Sequence, residues 1–317
     1  MRGQCAAGLG GILGALPTDL QHGRWADSAL GAVGAFVAPD ADRVAPLLHR
    51  ARGPANAGQA PAGPAACAAI EGELRTVPAV VQVDAIWISH LRPTGRFRTD
   101  AKGRRRAIKA RVKRPLFLAI GHWPQSGHAL LLAWQLGESE SASEWISFLE
   151  RLEAAGIRAE AGLELVIHDG GSGLCAALEV VHFGVPFQRC LFHKLRTIAR
   201  AIVLPEGLSR QEQRRHRRAI LKAFRAIWTA KQPRTALRRY RHVVRSFRAS
   251  QPAAVATLQR DFRATLTFYQ LEHRHPDWPR SALRTTSRLE RFNRRLRRRA
   301  RAAGAFPSDA SILAMIS

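Results

Sequence analysis

Hydrophobic positions fall into three regimes along the chain. Residues 1–76 are rich in Ala, Gly and Pro and hold no sustained period of 2 or 3.6. ARGPANAGQAPAGPAACAA within them reads as low-complexity chain with no packed core. From Val77 the pattern turns β-branched and apolar. VPAVVQVDAIWIS predicts a buried strand broken by one acid, Asp84. PLFLAIGHW and HALLLAWQL predict two more strands around the turn Pro124-Gln125-Ser126-Gly127. Ser141 and Glu144 have capping-box spacing, and the helix they open sets Trp145, Phe148, Leu149 and Leu152 on one face. LELVIH is a short strand stopping at Asp169-Gly170-Gly171, and Gly173 to Val181 reads as a helix packing back on it. VPFQRCL predicts a further buried strand, after which HKLRTIARAI opens a basic helix.

The third regime, from 195 to about 282, has no strand-like run. Ile220, Phe224, Ile227 and Trp228 recur at helical spacing, with Trp228 expected in the core. TALRRYRHVVRSFRAS and PAAVATLQRDFRATLTFYQL predict one helix each. A last helix, capped by Thr285-Thr286-Ser287, places Glu290, Asn293 and Arg297 along one face. Three strands, a helix, a strand ending in Asp169, a helix and a strand are the order of a ribonuclease H-like α/β domain: a mixed sheet flanked by helices. In that order the first and fourth strands lie side by side, about 4.8 Å apart. Asp84 and Asp169 are then neighbours.

Charge changes the picture of partners. The 317 residues carry a formal charge of +26, and 29 of the Lys and Arg against 7 of the Asp and Glu lie from Leu195 onward. Arg supplies 44 of the 50 basic residues, and its planar fork suits bidentate phosphate contact. A polyanion is the expected partner. Residues 90–114 add eleven basic residues and one acid in a polar hairpin excursion, which fits a solvated loop as well as one lying on DNA. Four cysteines without C-x-x-C spacing point to a reducing compartment, and no apolar run is long enough for a membrane helix. A cytoplasmic, nucleoid-associated protein with no membrane partner is expected.

Each candidate acid has a bland reading beside the chemical one. Asp169 at a strand end can be a turn residue or cap. Glu290, amid arginines, can sit in surface ion pairs of little worth. Asp84 is harder to dismiss, because a carboxylate in a buried strand is costly unless paired, protonated or metal-bound. Glu138, Glu140 and Glu144 read as solvated or capping residues, and Glu272 in EHRHP as the rival third acid.

Whole strings discriminate better. Asp169-Gly170 followed by Gln188-Arg189-Cys190-x-x-His193-x-x-Arg196 resembles the motif of Mutator-like bacterial insertion-sequence transposases. VQVDAIWIS resembles that family's first-acid strand, and Thr285-Thr286-x-x-x-Glu290-Arg291-x-Asn293 its third-acid helix. Thr197, His168 and Ser287 depart from the usual Asn, Ser and Asn, none at a metal-binding carboxylate. The resemblance implies a DDE-type DNA transposase that cleaves and joins strands of an insertion sequence. Asp84, Asp169 and Glu290 would be catalytic and would hold Mg²⁺ or Mn²⁺, Asp84 bridging two ions. Arg189, Lys194, Arg196, Arg288, Arg291, Arg294, Arg295 and Arg298 would contact DNA, and the Cys190–His193 pair would be structural or substrate-positioning.

The implied organisation is a segment 1–76, a catalytic core 77–194, an all-helical insertion 195–282 and a catalytic helix in 283–317. Homo-oligomers are expected during transposition. With few residues before Asp84 and an apparently unfinished last helix, a truncated copy that binds DNA without transposing is expected. The alternatives are a non-catalytic or domesticated DNA-binding remnant, and a basic structural nucleic-acid protein whose binding ignores Asp84.

Overall fold

The structure, a computed structural model, describes residues 76–316. The expectations for the Ala/Gly/Pro-rich segment, apart from its last residue, lie outside the described residues. Five strands form one mixed sheet in the order β3-β2-β1-β4-β5: β1 Val80–Thr99, β2 Arg105–Trp123, β3 His128–Leu136, β4 Leu165–His168 and β5 Phe187–Arg189. β1 and β2 pair antiparallel, as do β2 and β3. β4 joins β1 in parallel and β5 joins β4 in parallel.

Alternation along β1 explains how the sheet is covered. Val81 and Val83 point to one face, where they join Phe117, Ala119 and the apolar stripes of α1 (Ala142–Ala154) and α2 (Ser172–Val180). Gln82, Asp84, Ile86 and Ile88 point to the other. There Ile86 and Ile88 pack with Leu289, Phe292 and Leu296 of α9 (Ser287–Ala303) and with Ile312 of α10 (Asp309–Ile316). The remaining helices are α3 (Leu191–Ala201), α4 (Arg210–Ala226), α5 (Pro233–Phe247), α6 (Pro252–Gln259), α7 (Phe268–Arg274) and α8 (Arg280–Arg284).

The chain divides into two compact units. Among the described residues, one comprises Leu195–Phe262; the other joins residues 76–194 with those from Arg263. Within the helical unit, α4 opens on a full capping box between Ser209 and Glu212. Trp228 is buried, and Tyr240 stacks on Phe262 with ring centroids 3.9 Å apart.

Three local expectations need correction. The stretch 252–271 is not one helix: α6 stops at Gln259, Asp261 takes a left-handed φ of 51°, and α7 starts at Phe268. Gln188 of β5 makes this break affordable. Its amide donates to Thr265 O at 3.3 Å and its carbonyl accepts from Phe268 N at 2.8 Å. At α1, Ser141 accepts from Glu144 N, but the Glu144 carboxylate turns to Glu138 N and Ser139 N, so the reciprocal half of the capping box is missing. At α9, Thr286 is the N-cap residue without a capping side chain; its Oγ1 lies 3.3 Å from Cys190 Sγ instead.

Candidate active site

The register of β1 and β4 builds the site's floor. Val83 pairs with His168, so Asp84, still within β1, and Asp169, the first residue past β4, come to the same level. Asp169 ends its strand because Gly170 turns the chain with a φ of 79°. The turn is held by Gly171 N donating to Asp169 Oδ1 at 2.8 Å. An added Cβ at Gly170 would run into the side chain of Arg189, which packs over this turn.

α9 brings the third acid. Leu289 N donates to Gln82 Oε1 at 3.2 Å, which fixes the helix's first turn on β1. One turn further, Asn293 Nδ2 donates to Asp84 Oδ2 at 2.9 Å, while Ala85 N donates to Asp84 Oδ1. Glu290, three residues before Asn293, comes to the same place. Ligand atoms of Asp84, His193 and Glu290 all lie within 4.8 Å of one another. Glu290 Oε1 is 3.0 Å from His193 Nε2, and Arg297 reaches Glu290 Oε2 at 3.8 Å.

Electrostatics follow from this crowding. Asp84 is 4% exposed. Burial first, then the charge of Asp169, pushes its carboxyl up to about 7; Glu290 adds to the rise, while His193 opposes it. Burial would lower the His193 imidazole, but hydrogen bonds with Cys190 and Glu290 outweigh it and hold the ring up near 10. Burial likewise works to raise the Cys190 thiol, and the His193 hydrogen bond and charge, with Thr286, pull it below the ordinary thiol range. The site is thus two close carboxylates beside an imidazolium.

The donor set fits a hard divalent cation. Asp84 and Glu290 offer carboxylate oxygens within reach of one another, and Asn293 Oδ1 is buried beside Asp84 without a hydrogen-bond partner. Asp169 is the acid not in that close group; its strand register and its charge effect on Asp84 connect it to the site.

With this geometry the comparisons can be weighed. The sequence profile described as Transposase, Mutator family matches residues 102–317, more than half of the chain. The chain belongs to the Mutator family of transposases. It is 34% identical over 192 residues to the transposase for insertion sequence element IS406 of Burkholderia multivorans, covering 61% of this chain and 45% of that protein. The transposase for ISRM5 of Rhizobium meliloti is 28% identical over 211 residues, covering 65% and 47%. The chain spans about half the length of the curated relatives it matches. A chain of the Drosophila P element transposase strand transfer complex aligns with a TM-score of 0.43 at 9% identity, covering 75% of each chain, a likeness too remote to bear on the chemistry.

The Mutator-family match contains Asp169, His193 and Glu290 but begins after Asp84. The place of Asp84 therefore rests on its strand register and on Asn293. Of the side chains expected on DNA, Arg196, Arg294 and Arg298 are exposed, and Arg288, Arg291 and Arg295 partly so. Arg189 and Lys194, also expected on DNA, are buried, 7% and 2% exposed. Glu138 is exposed and pairs with Arg92 and Arg114. Glu140 is partly buried: burial and then the charge of Asp169 raise its carboxyl, which accepts from the Trp87 indole. Glu272, the rival acid, is held by Arg280 at 2.9 Å.

Reading the sequence missed three partners. Gln82 was findable, since it shares a strand face with Asp84. Asn293 lies one helical turn beyond Glu290, but its bond to Asp84 spans 209 positions. The His193–Glu290 contact carried no local signal at all.

Proposed function

We propose that this chain carries the catalytic core of a DNA transposase of the acidic-triad class, on a ribonuclease H-like fold with a helical insertion. What supports the reading most is the meeting of Asp84 from β1 and Glu290 from α9, with Asp169 in register on the adjoining strand. Family membership, with relatives described as transposases for insertion sequence elements, supports an insertion sequence and its DNA target as the substrate.

In this reading Asp84, Asp169 and Glu290 are the ligands. Mg²⁺ or Mn²⁺, when bound, would activate the attacking water or 3′-hydroxyl and stabilise the leaving oxygen of an in-line phosphoryl displacement. Asn293 orients the Asp84 carboxylate by holding Oδ2. His193, as a cation, balances the two acids before an ion arrives and keeps Glu290 turned toward Asp84. Arg288, Arg291, Arg294, Arg295 and Arg298 on α9 would track phosphates near the site, and Arg196 would contact DNA as well. Copies of the chain would assemble on the two ends of the element.

The test is nicking and joining of a duplex carrying the element's end, with and without Mg²⁺ or Mn²⁺. Activity should need the metal and vanish in Asp84→Ala with DNA affinity retained. Metal-independent activity, or an Asp84→Ala protein as active as wild type, overturns the proposal. Duplex binding with no cleavage under any metal would favour a non-catalytic DNA-binding remnant.

A further inference from the structure

β1 and β2 do not stop where the sheet stops. From Ser89 to Thr99 and from Arg105 to Lys113 they continue as a two-stranded antiparallel ribbon, exposed from Arg92 to Thr99 and, Val112 apart, from Arg105 to Lys113, with His90 buried at its base. An isolated ribbon of this kind is marginal in water, yet this one is carefully held. At the tip, Asp100 Oδ1 accepts from Lys102 N and Arg104 N, and Gly103 takes a φ of 75°. Midway, a bulge between Pro93 and Phe97 is closed by Thr94 Oγ1 donating to Ile108 O. Further out, the Arg105 guanidinium lies 3.9 Å over the Phe97 ring. At the base, Arg114 binds Asp309, Glu138 and Gly137 O, and Leu91 N donates to Phe306 O. The ribbon therefore leaves the sheet in a fixed direction.

Register sorts its cations onto faces. Lys109, Arg111 and Lys113 alternate along β2 opposite Pro93, Leu91 and Ser89, so all three share one face. Arg92, Arg98 and Arg106 lie on the other, where Glu138 holds Arg92 and Asp100 holds Arg106. Among the described residues no carboxylate pairs with Lys109, Arg111 or Lys113. Alternate strand residues recur about every 6.7 Å, close to the roughly 7 Å between successive phosphates of one B-DNA strand once the rotation of the helix is added to its roughly 3.4 Å rise. A row of three such cations thus matches three successive phosphates. The major groove of B-DNA admits a two-stranded ribbon, whereas the deep, narrow groove of A-form RNA does not.

We propose that the ribbon is a DNA-docking arm whose Lys109–Arg111–Lys113 face, which continues the Val81, Val83 and Phe117 face of the sheet and not the Asp84 face, seats on duplex DNA. That the duplex is the transposase's own substrate rests on the transposase reading; the docking itself does not. The row lies opposite Ser89 to Pro93, five to nine residues beyond Asp84, so at about 3.3 Å per residue it runs from about 17 to about 30 Å along the strand from that acid.

The experiment is anisotropy of the full chain on a fluorescent duplex of about 30 base pairs, titrated across salt. The variant combines Lys109→Ala, Arg111→Ala and Lys113→Ala; a charge-matched control combines Arg92→Ala, Arg98→Ala and Arg106→Ala. The variant should flatten the slope of log affinity against log salt by about 2.7, at about 0.9 per phosphate lost, and the control by less than about 1. Should the triple variant lose its far-UV dichroism, Lys109→Glu alone should still flatten the slope by about 0.9 or more. An unchanged slope, equal losses in variant and control, or equal dependence on these residues for duplex RNA overturns the arm. Wild-type protein that binds no duplex overturns it too. Normal binding by the variant beside an inactive Asp84→Ala protein sinks the arm alone; a lost slope beside no metal-dependent cleavage sinks the transposase reading alone.

Discussion

Asn293 Nδ2 donates a 2.9 Å hydrogen bond to Asp84 Oδ2, joining the helix that carries one acid to the strand that carries another. Both side chains are buried, so the bond is also the seam between α9 and the sheet. Removing one partner of a buried polar pair typically costs about 1–3 kcal/mol. Asn293→Ala should destabilise the metal-free protein by about that amount, measured by urea unfolding in chelator. It should also weaken Mn²⁺ binding measured by calorimetry, because the Asp84 carboxylate loses its orientation. A variant as stable and as tight for metal as wild type would remove Asn293 from the site.

Stability should depend on pH through Asp84. Its carboxyl titrates near 7 in the folded chain, raised by burial and by Asp169, and near 4 when unfolded. Between those values the unfolded chain has released this proton and the folded chain has kept it. Stability contributed by Asp84 is therefore full below about pH 4 and falls as pH rises to about 7. Urea unfolding of wild type and Asp84→Asn from pH 4 to 8, in chelator, should give curves that diverge with pH, the variant gaining relative to wild type. Saturating Mn²⁺ at the upper end should stabilise wild type and not the variant. Parallel curves would mean that Asp84 is not the buried acid described.

The two glycines after Asp169 should behave differently. Gly170 has a φ of 79° and Arg189 fills the space a Cβ would need, whereas Gly171 faces only ordinary contacts, the nearest at 3.5 Å from Asp169 Oδ1. Gly170→Ala should lower stability by about 1–3 kcal/mol and cut cleavage, since the turn that aims Asp169 is strained. Gly171→Ala should stay within about 0.5 kcal/mol of wild type. Thermal unfolding of the two variants decides it; equal effects would contradict the turn geometry.

Replacing Glu290 and Glu272 in turn tests which of the two serves the proposed metal site. Glu290→Ala should abolish metal-dependent strand cleavage with duplex affinity retained, while Glu272→Ala, which loses only its contact to Arg280, should cleave as wild type does. Inactivation by Glu272→Ala instead would move the third acid to another helix.

These residues also mark how far the sequence could be read. The strand around Asp84 and the turn after Asp169 were legible because period-2 apolar runs and paired glycines are local signals. So were the faces of α1 and α2. The break between α6 and α7 was not, because Gln188 satisfies the freed backbone from about 80 positions away. Thr286 looks like a cap in sequence, but Cys190, 96 positions earlier, takes its hydroxyl. The burial of Arg189 and Lys194 carries no local signal either. Contacts between distant segments leave no period behind them.

The central claim is that Asp84, Asp169 and Glu290 serve one divalent-metal site. Anomalous diffraction from crystals of this chain grown with Mn²⁺ tests it most directly. The account predicts density within coordination distance of Asp84 and Glu290, with Asp169 reaching the same site. Mn²⁺ bound elsewhere, or any two of these carboxylates more than ~10 Å apart, too far for a shared two-metal clamp, would contradict it.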